Sequence, residues 1–124
     1  MKVQKYGDYL YFIFRFVIGA LFFMVGSTKL FGWFGGTPIA IPVGSLFWFA
    51  GLIEVVAGTL IVIGLLTRYA SALAAVQMVF AYFIGHAPNG LNPIVNGGIP
   101  AILFFAAFLA IVAKGAGKFA FDKK

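Results

Sequence analysis

The sequence predicts an all-α membrane protein, an antiparallel bundle of four transmembrane helices with both termini in the cytoplasm. Three observations carry this. The 124 residues are 63% hydrophobic, against roughly 45–50% in a soluble globular domain. Only 10% are charged, against roughly 25% in soluble domains. The charges also gather at the flanks of four apolar segments. A soluble domain this small has a large surface to cover for its volume, and nine basic and three acidic residues are too few to cover it.

The first segment runs from about Tyr9 to Phe31, with Asp8 at the expected N-cap. A spanning helix needs roughly 17–25 residues, and this segment has them. It is too long for a cleaved signal peptide, it carries Arg15 inside the apolar run, and no small-residue cleavage site follows. The second segment, Ser45 to Leu66, opens on a serine suited to capping. The third, about Tyr69 to Gly85, is preceded by Thr67 as the expected cap, and it is short for a span. The fourth, Gly98 to Ala113, is also short; Asn96 is its expected cap, and Pro100 falls in its first turn, where a missing N–H costs little.

The connections differ. Only a few residues around Thr67-Arg68 join the second and third segments, so those helices are antiparallel neighbours. Gly32 to Gly44 holds Trp33, Phe34, Pro38 and Pro42, and Trp favours headgroup depth. Ala87 to Gly97 is rich in Pro, Asn and Gly. No repeat or linker divides the chain, which reads as one membrane domain over residues 1–124.

Orientation follows from the basic residues. Lys2, Lys5, Arg68, Lys114, Lys118, Lys123 and Lys124 fall on the side of the termini, and Lys29 alone on the other. This asymmetry predicts cytoplasmic termini in a plasma or inner membrane. It also argues against nucleic acid as the reason for the net charge of +6, because the charge flanks spans instead of forming a stripe.

The chain has no cysteine and one histidine. That excludes disulfides, iron–sulfur clusters, thiolate metal sites and a bis-His haem within one copy. No metal site and no resident cofactor are expected.

The polar residues inside the spans are few. A charge at the bilayer centre costs about 2.5–3.5 kcal/mol on insertion scales, so such residues face the interior and pair. Arg15, Gly19, Phe22, Gly26, Lys29 and Trp33 recur at spacings of four and three, on one face of the first helix. Gly51, Glu54 and Gly58 share a face of the second. Glycine lets helices approach closely in lipid, so these two faces are expected to meet. Helical side chains lean toward their own N-terminus. Lys29 therefore leans into the membrane and Glu54 leans toward it, which favours Lys29–Glu54 over Arg15–Glu54. Arg15 leans the other way and is read as a side chain reaching toward headgroups. His86 ends the third helix on the Lys29 side, so Lys29, Glu54 and His86 form the candidate polar cluster. Gln77 lies deeper, and its amide needs a partner.

These residues resemble a known family. Arg15, Gly19 and the run Gly26-x-x-Lys29-Leu30-x-Gly32-Trp33-Phe34-Gly35-Gly36 are similar to the opening of DoxX-family membrane proteins. Gly51-Leu52-Ile53-Glu54 with Gly58, Gly64-Leu65-Leu66-Thr67-Arg68, His86 with Gly90, Asn96-Gly97-Gly98 and the closing Gly115-x-Gly117…Asp122 extend the resemblance over nearly the whole chain. It departs at Ile99, where the family pattern usually has an acidic residue. The resemblance implies a four-helix membrane fold. Some relatives are associated with sulfur oxidation, including a thiosulfate:quinone oxidoreductase subunit. Others are linked to redox-stress complexes with superoxide dismutase and a sulfurtransferase, to maturation of redox proteins, or to cargo reception.

The leading expectation is a subunit or anchor of a redox-associated, quinone- or sulfur-linked membrane complex, with Lys29, Glu54 and His86 holding a quinone head group. Electrons would come from a redox partner protein or a soluble reductant. Two rivals stand beside it: a non-catalytic scaffold or receptor for a partner protein, and a small transporter. The transporter ranks lowest, because a Lys29 partner holds Glu54 ionised. Lipid is the certain partner, and a homo-oligomer is left open.

Overall fold

A computed structural model describes residues 5–122, so Lys2, Lys123 and Lys124, used above for orientation, lie outside the described residues. The described chain is all helical. Helix α1 spans Gly7–Leu30, α2 Leu46–Ile63 and α3 Thr67–Ala81. α3 widens into a π-turn at Tyr82–His86 and a 3-10 turn at Ala87–Asn89. A short α4, Pro93–Asn96, precedes α5, Ile99–Lys114. Three helical stretches, Gly7–Leu30, Leu46–Ile63 and Thr67–Asn89, are long and apolar enough to cross a membrane. α5 is apolar but has 16 residues, about 24 Å at 1.5 Å per residue. Apolar side chains such as Phe16, Leu73, Val76 and Leu103 point outward, as an integral, multi-pass membrane protein requires.

The bundle is made of two tight pairs, α1 with α2 and α3 with α5, joined by α2 against α3. The expected glycine faces do meet. A Cβ on Gly26 would sit 2.7 Å from the Gly51 carbonyl oxygen, and one on Gly58 would sit 2.9 Å from that of Gly19. Low numbers on α1 meet high numbers on α2, so the pair is antiparallel. Backbones this close gain dispersion contacts, which replace the hydrophobic effect as the driving force in lipid. The α3–α5 pair uses alanines and a serine instead: Ala70, Ser71, Ala74, Ala101 and Ala107 are all buried. Phe22, Phe108, Ile61 and Ile111 fill the centre, with the Phe22 and Phe108 rings 4.7 Å apart edge-on.

The expected caps need correction at three of four positions. Ser45 does cap α2, accepting from the Trp48 amide at 3.3 Å. Asp8 lies in the first turn of α1, where it favours the helix dipole without capping. Asn92 caps the unexpected α4, while Asn96 is buried and staples the preceding loop. It donates to the Gly90 carbonyl at 2.7 Å and the Tyr82 hydroxyl at 3.1 Å, and it accepts from the Gly98 amide at 2.8 Å. Thr67 is the first residue of α3, and the capping oxygens come from Asp122, at 2.7 Å from the Leu66 amide and 2.8 Å from that of Thr67.

Candidate functional site

The Gly51-to-Lys29 contact that brings α1 onto α2 also delivers the Lys29 side chain to Glu54. The ammonium donates to both carboxylate oxygens, at 2.8 and 3.0 Å. Glu54 is 2% exposed and Lys29 20%, so the carboxylate is sealed in and the ammonium reaches the edge. From α3, Gln77 Nε2 donates to the same carboxylate at 3.0 Å, which answers what this mid-helix amide pairs with. Three helices therefore converge on one buried acid.

On the other side of this polar knot lies a groove of about 650 Å³ between α2 and α3. Lys29, Gln77 and His86 are its polar lining, and the rest is apolar, with Phe47, Phe49 and Phe80 among the walls. His86 marks the end near the 31–44 loop and Leu73 the deep end, while the Lys29 ammonium and Gln77 meet at Glu54, one turn from Leu73. The groove is thus apolar over most of its wall, with polar groups at His86 and beside Glu54.

Of the three residues of the candidate cluster, Lys29 and Glu54 touch, and His86 shares the groove wall with Lys29. His86 bonds neither of them. Its Nδ1 lies 3.1 Å from the Asn96 carbonyl oxygen, so that nitrogen carries a proton. Glu54 does not line the groove. It stands behind Lys29 and Gln77 and sets the position of both.

Arg15 is corrected outright. It does not reach toward headgroups: it is 1% exposed. Nε donates to the Ile61 carbonyl at 2.9 Å and Nη2 to those of Val62 and Phe119 at 3.2 and 2.9 Å, while Nη1 holds that of Ala116. Ile63 and Gly64 are met by the Phe121 and Asp122 amides, and Leu60 by the Leu65 amide. Every carbonyl from Leu60 to Gly64 thus has a donor, at a helix end that otherwise leaves them orphaned. Arg68 does similar service for α5, donating to the Val112 carbonyl at 3.1 Å.

Residues 115–122 thereby form a clasp under the bundle, with the Tyr11 hydroxyl on the Gly115 carbonyl at 2.5 Å. Burial opposes ionisation of Asp122, but hydrogen bonds from Thr67 and Leu66 and the Arg15 charge outweigh it, so its carboxyl titrates below the usual range. A second cavity, of about 540 Å³, opens beside the clasp between Arg68, Lys114, Lys118 and Asp8. The closing Asp122 was quoted above for its resemblance alone; its capping role left no local signal, because its partners lie 55 and 56 residues away. Gln77 was singled out, but its partner was not.

No group of three or more His, Cys, Asp or Glu side chains able to hold a metal is present among the described residues. No solved structure matches the chain. A Haemophilus influenzae protein described as uncharacterized is 34% identical over 132 residues, covering 99% of this chain and 96% of its own length. The DoxX family model matches residues 10–87, which contain Arg15, the glycine seam, Lys29, Glu54, Gln77 and His86. The chain belongs to the DoxX family of integral membrane proteins.

Proposed function

We propose that the protein is the membrane subunit or anchor of a redox-associated complex and docks a quinone in the α2–α3 groove. The observation that carries this is the make-up of the groove: three polar side chains, Lys29, Gln77 and His86, set into a long apolar trough lined by aromatic rings. A quinone has the matching shape, with carbonyl acceptors on a flat ring and an apolar tail. Lys29 can donate to a carbonyl, and Phe47, Phe49 and Phe80 can pack the ring. Glu54 acts as a positioning residue through its hold on Lys29. A partner or soluble reductant supplies the electrons.

Binding of a photoreactive short-chain quinone to the protein in lipid nanodiscs tests the reading. Crosslinks are expected on groove residues such as Phe80 and Ile84, and filling the trough by Ala81→Trp should abolish them. Labelling that ignores Ala81→Trp, and binding unchanged in both Glu54→Gln and His86→Ala, would sink the assignment.

The same reading places the termini and the clasp in the cytoplasm, supported by the excess of lysine and arginine on that side. The His86 end of the groove then faces outward. Because the chain has no cysteine, single cysteines can be introduced cleanly. A membrane-impermeant maleimide applied to intact spheroplasts should label Ile39→Cys and spare Lys118→Cys; the reverse pattern inverts the topology.

A further inference from the structure

We infer that the pocket beside the clasp binds the phosphate of an anionic phospholipid, at the opposite end of α3 from His86 and independently of the quinone reading. Three cations line this cavity of about 540 Å³: Arg68 from the start of α3, Lys114 from the end of α5 and Lys118 from the clasp. None of them makes an ion pair among the described residues, where Lys29–Glu54 is the single pair. Two carboxylates, Asp8 and Asp122, share the lining. Asp122 is committed, with its oxygens on the Leu66 and Thr67 amides. The positive excess that remains calls for an anion. Arg68 is the anchor. Its Nε donates to the Val112 carbonyl at 3.1 Å and Nη2 to that of Ala113 at 3.4 Å. Gly115, at φ +79°, lets the guanidinium lie against the chain, since a Cβ there would come within 3.1–3.2 Å of it. A guanidinium has five N–H donors, so three have no acceptor among the described residues. The edge between Nη1 and Nη2 is the one unclaimed. Fixed by α5 along its other edge, this planar fork is ready for two phosphate oxygens. Lys114 stands beside it, its Nζ 4.9 Å from the centre of the Tyr11 ring.

The position of the pocket selects a lipid over a free anion. It opens where the apolar belt stops: Leu66 and Tyr69 belong to its lining and are 54% and 79% exposed. Tyr69, Leu73 and Val76 follow at spacings of four and three, all outward on one face of α3. A phosphate in the pocket therefore has an apolar face beside it on which its acyl chains can lie. Basic pockets at the ends of spanning helices hold anionic head groups in this way. A zwitterionic lipid brings its own ammonium into a lining already in positive excess, with only Asp8 to receive it.

The test titrates the detergent-solubilised protein with chain-matched phosphatidylglycerol, phosphatidylethanolamine and phosphatidylcholine and counts bound lipid by native mass spectrometry. Phosphatidylglycerol should bind as one copy, roughly tenfold tighter than the other two. Lys114→Gln and Lys118→Gln remove charge without removing a backbone hydrogen bond, so the fold should survive. Each should weaken phosphatidylglycerol roughly fivefold. Lys5→Gln, a cation outside the pocket, should change it by less than about twofold. Asp8→Asn should tighten it, and Arg68→Lys, which keeps the charge and loses the fork, should weaken it. Inorganic phosphate should displace the lipid only weakly. Equal binding of the three lipids, or an equal loss in Lys5→Gln and Lys118→Gln, means diffuse attraction and overturns the site. Inorganic phosphate competing as well as the lipid overturns the lipid assignment. Neither result bears on the α2–α3 groove.

Discussion

Glu54 receives donors from two other helices, Lys29 on α1 and Gln77 on α3. A buried carboxylate in lipid has no water to fall back on, so losing its charge strands the Lys29 ammonium. Glu54→Gln should lower stability by about 3 kcal/mol, the low end for breaking a buried pair, because Lys29 can partly retreat to the edge. Removing both charges with Lys29→Met and Glu54→Gln together should recover much of that loss. Unfolding in mixed micelles measures both; a double variant no more stable than Glu54→Gln would contradict the account. The Lys29–Glu54 pair was legible in sequence because helix direction alone decides which side chains lean together. Arg15 was not. Its acceptors are backbone carbonyls, which look the same in every sequence, and the carboxylate whose charge it feels, Asp122, is far away along the chain.

The helices show the same contrast. The α1–α2 seam was readable from glycines spaced on one face. Gly26→Ala would drive a Cβ to 2.7 Å from both Glu54 Cβ and the Gly51 carbonyl oxygen. The pair must spread, at a cost of roughly 1–3 kcal/mol. Gly7→Ala meets nothing within 4 Å and should leave the melting temperature unchanged, which makes it the control. The start of α3 was misread because its cap is supplied from far along the chain. Asp122→Ala should cost about 1 kcal/mol, as the loss of a helix cap does. The folded pKa of Asp122 lies below its unfolded value. Its stabilisation is therefore complete above the unfolded pKa and disappears as pH falls through the folded one. The gap between wild type and Asp122→Ala, followed by thermal unfolding in detergent, should be full at neutral pH and close in acid. A gap that stays constant across that range would show that the carboxylate charge is irrelevant to the cap.

At the scale of the whole molecule, composition and charge placement were enough for an all-helical membrane bundle, and the short Arg68 turn for antiparallel neighbours. α4 and the clasp were not legible. α4 has four residues, too few for any period to register, and the clasp is held by contacts that span the chain. The groove was only half legible. Its polar residues could be named, but whether they shared a wall depended on how α3 turns at Tyr82–His86.

The clasp also imposes an order on synthesis. Arg15 is separated from its acceptors at Ala116 and Phe119 by 101 and 104 residues. At roughly 5–20 residues per second on a ribosome, the arginine waits on the order of 5–20 s after entering the bilayer before those carbonyls exist. Until then the guanidinium has only the Ile61 and Val62 carbonyls, and the first amides of α3 lack their carboxylate. A nascent chain halted before residue 116 therefore exposes an ill-satisfied cation inside the membrane, a physical mark by which unfinished copies differ from finished ones.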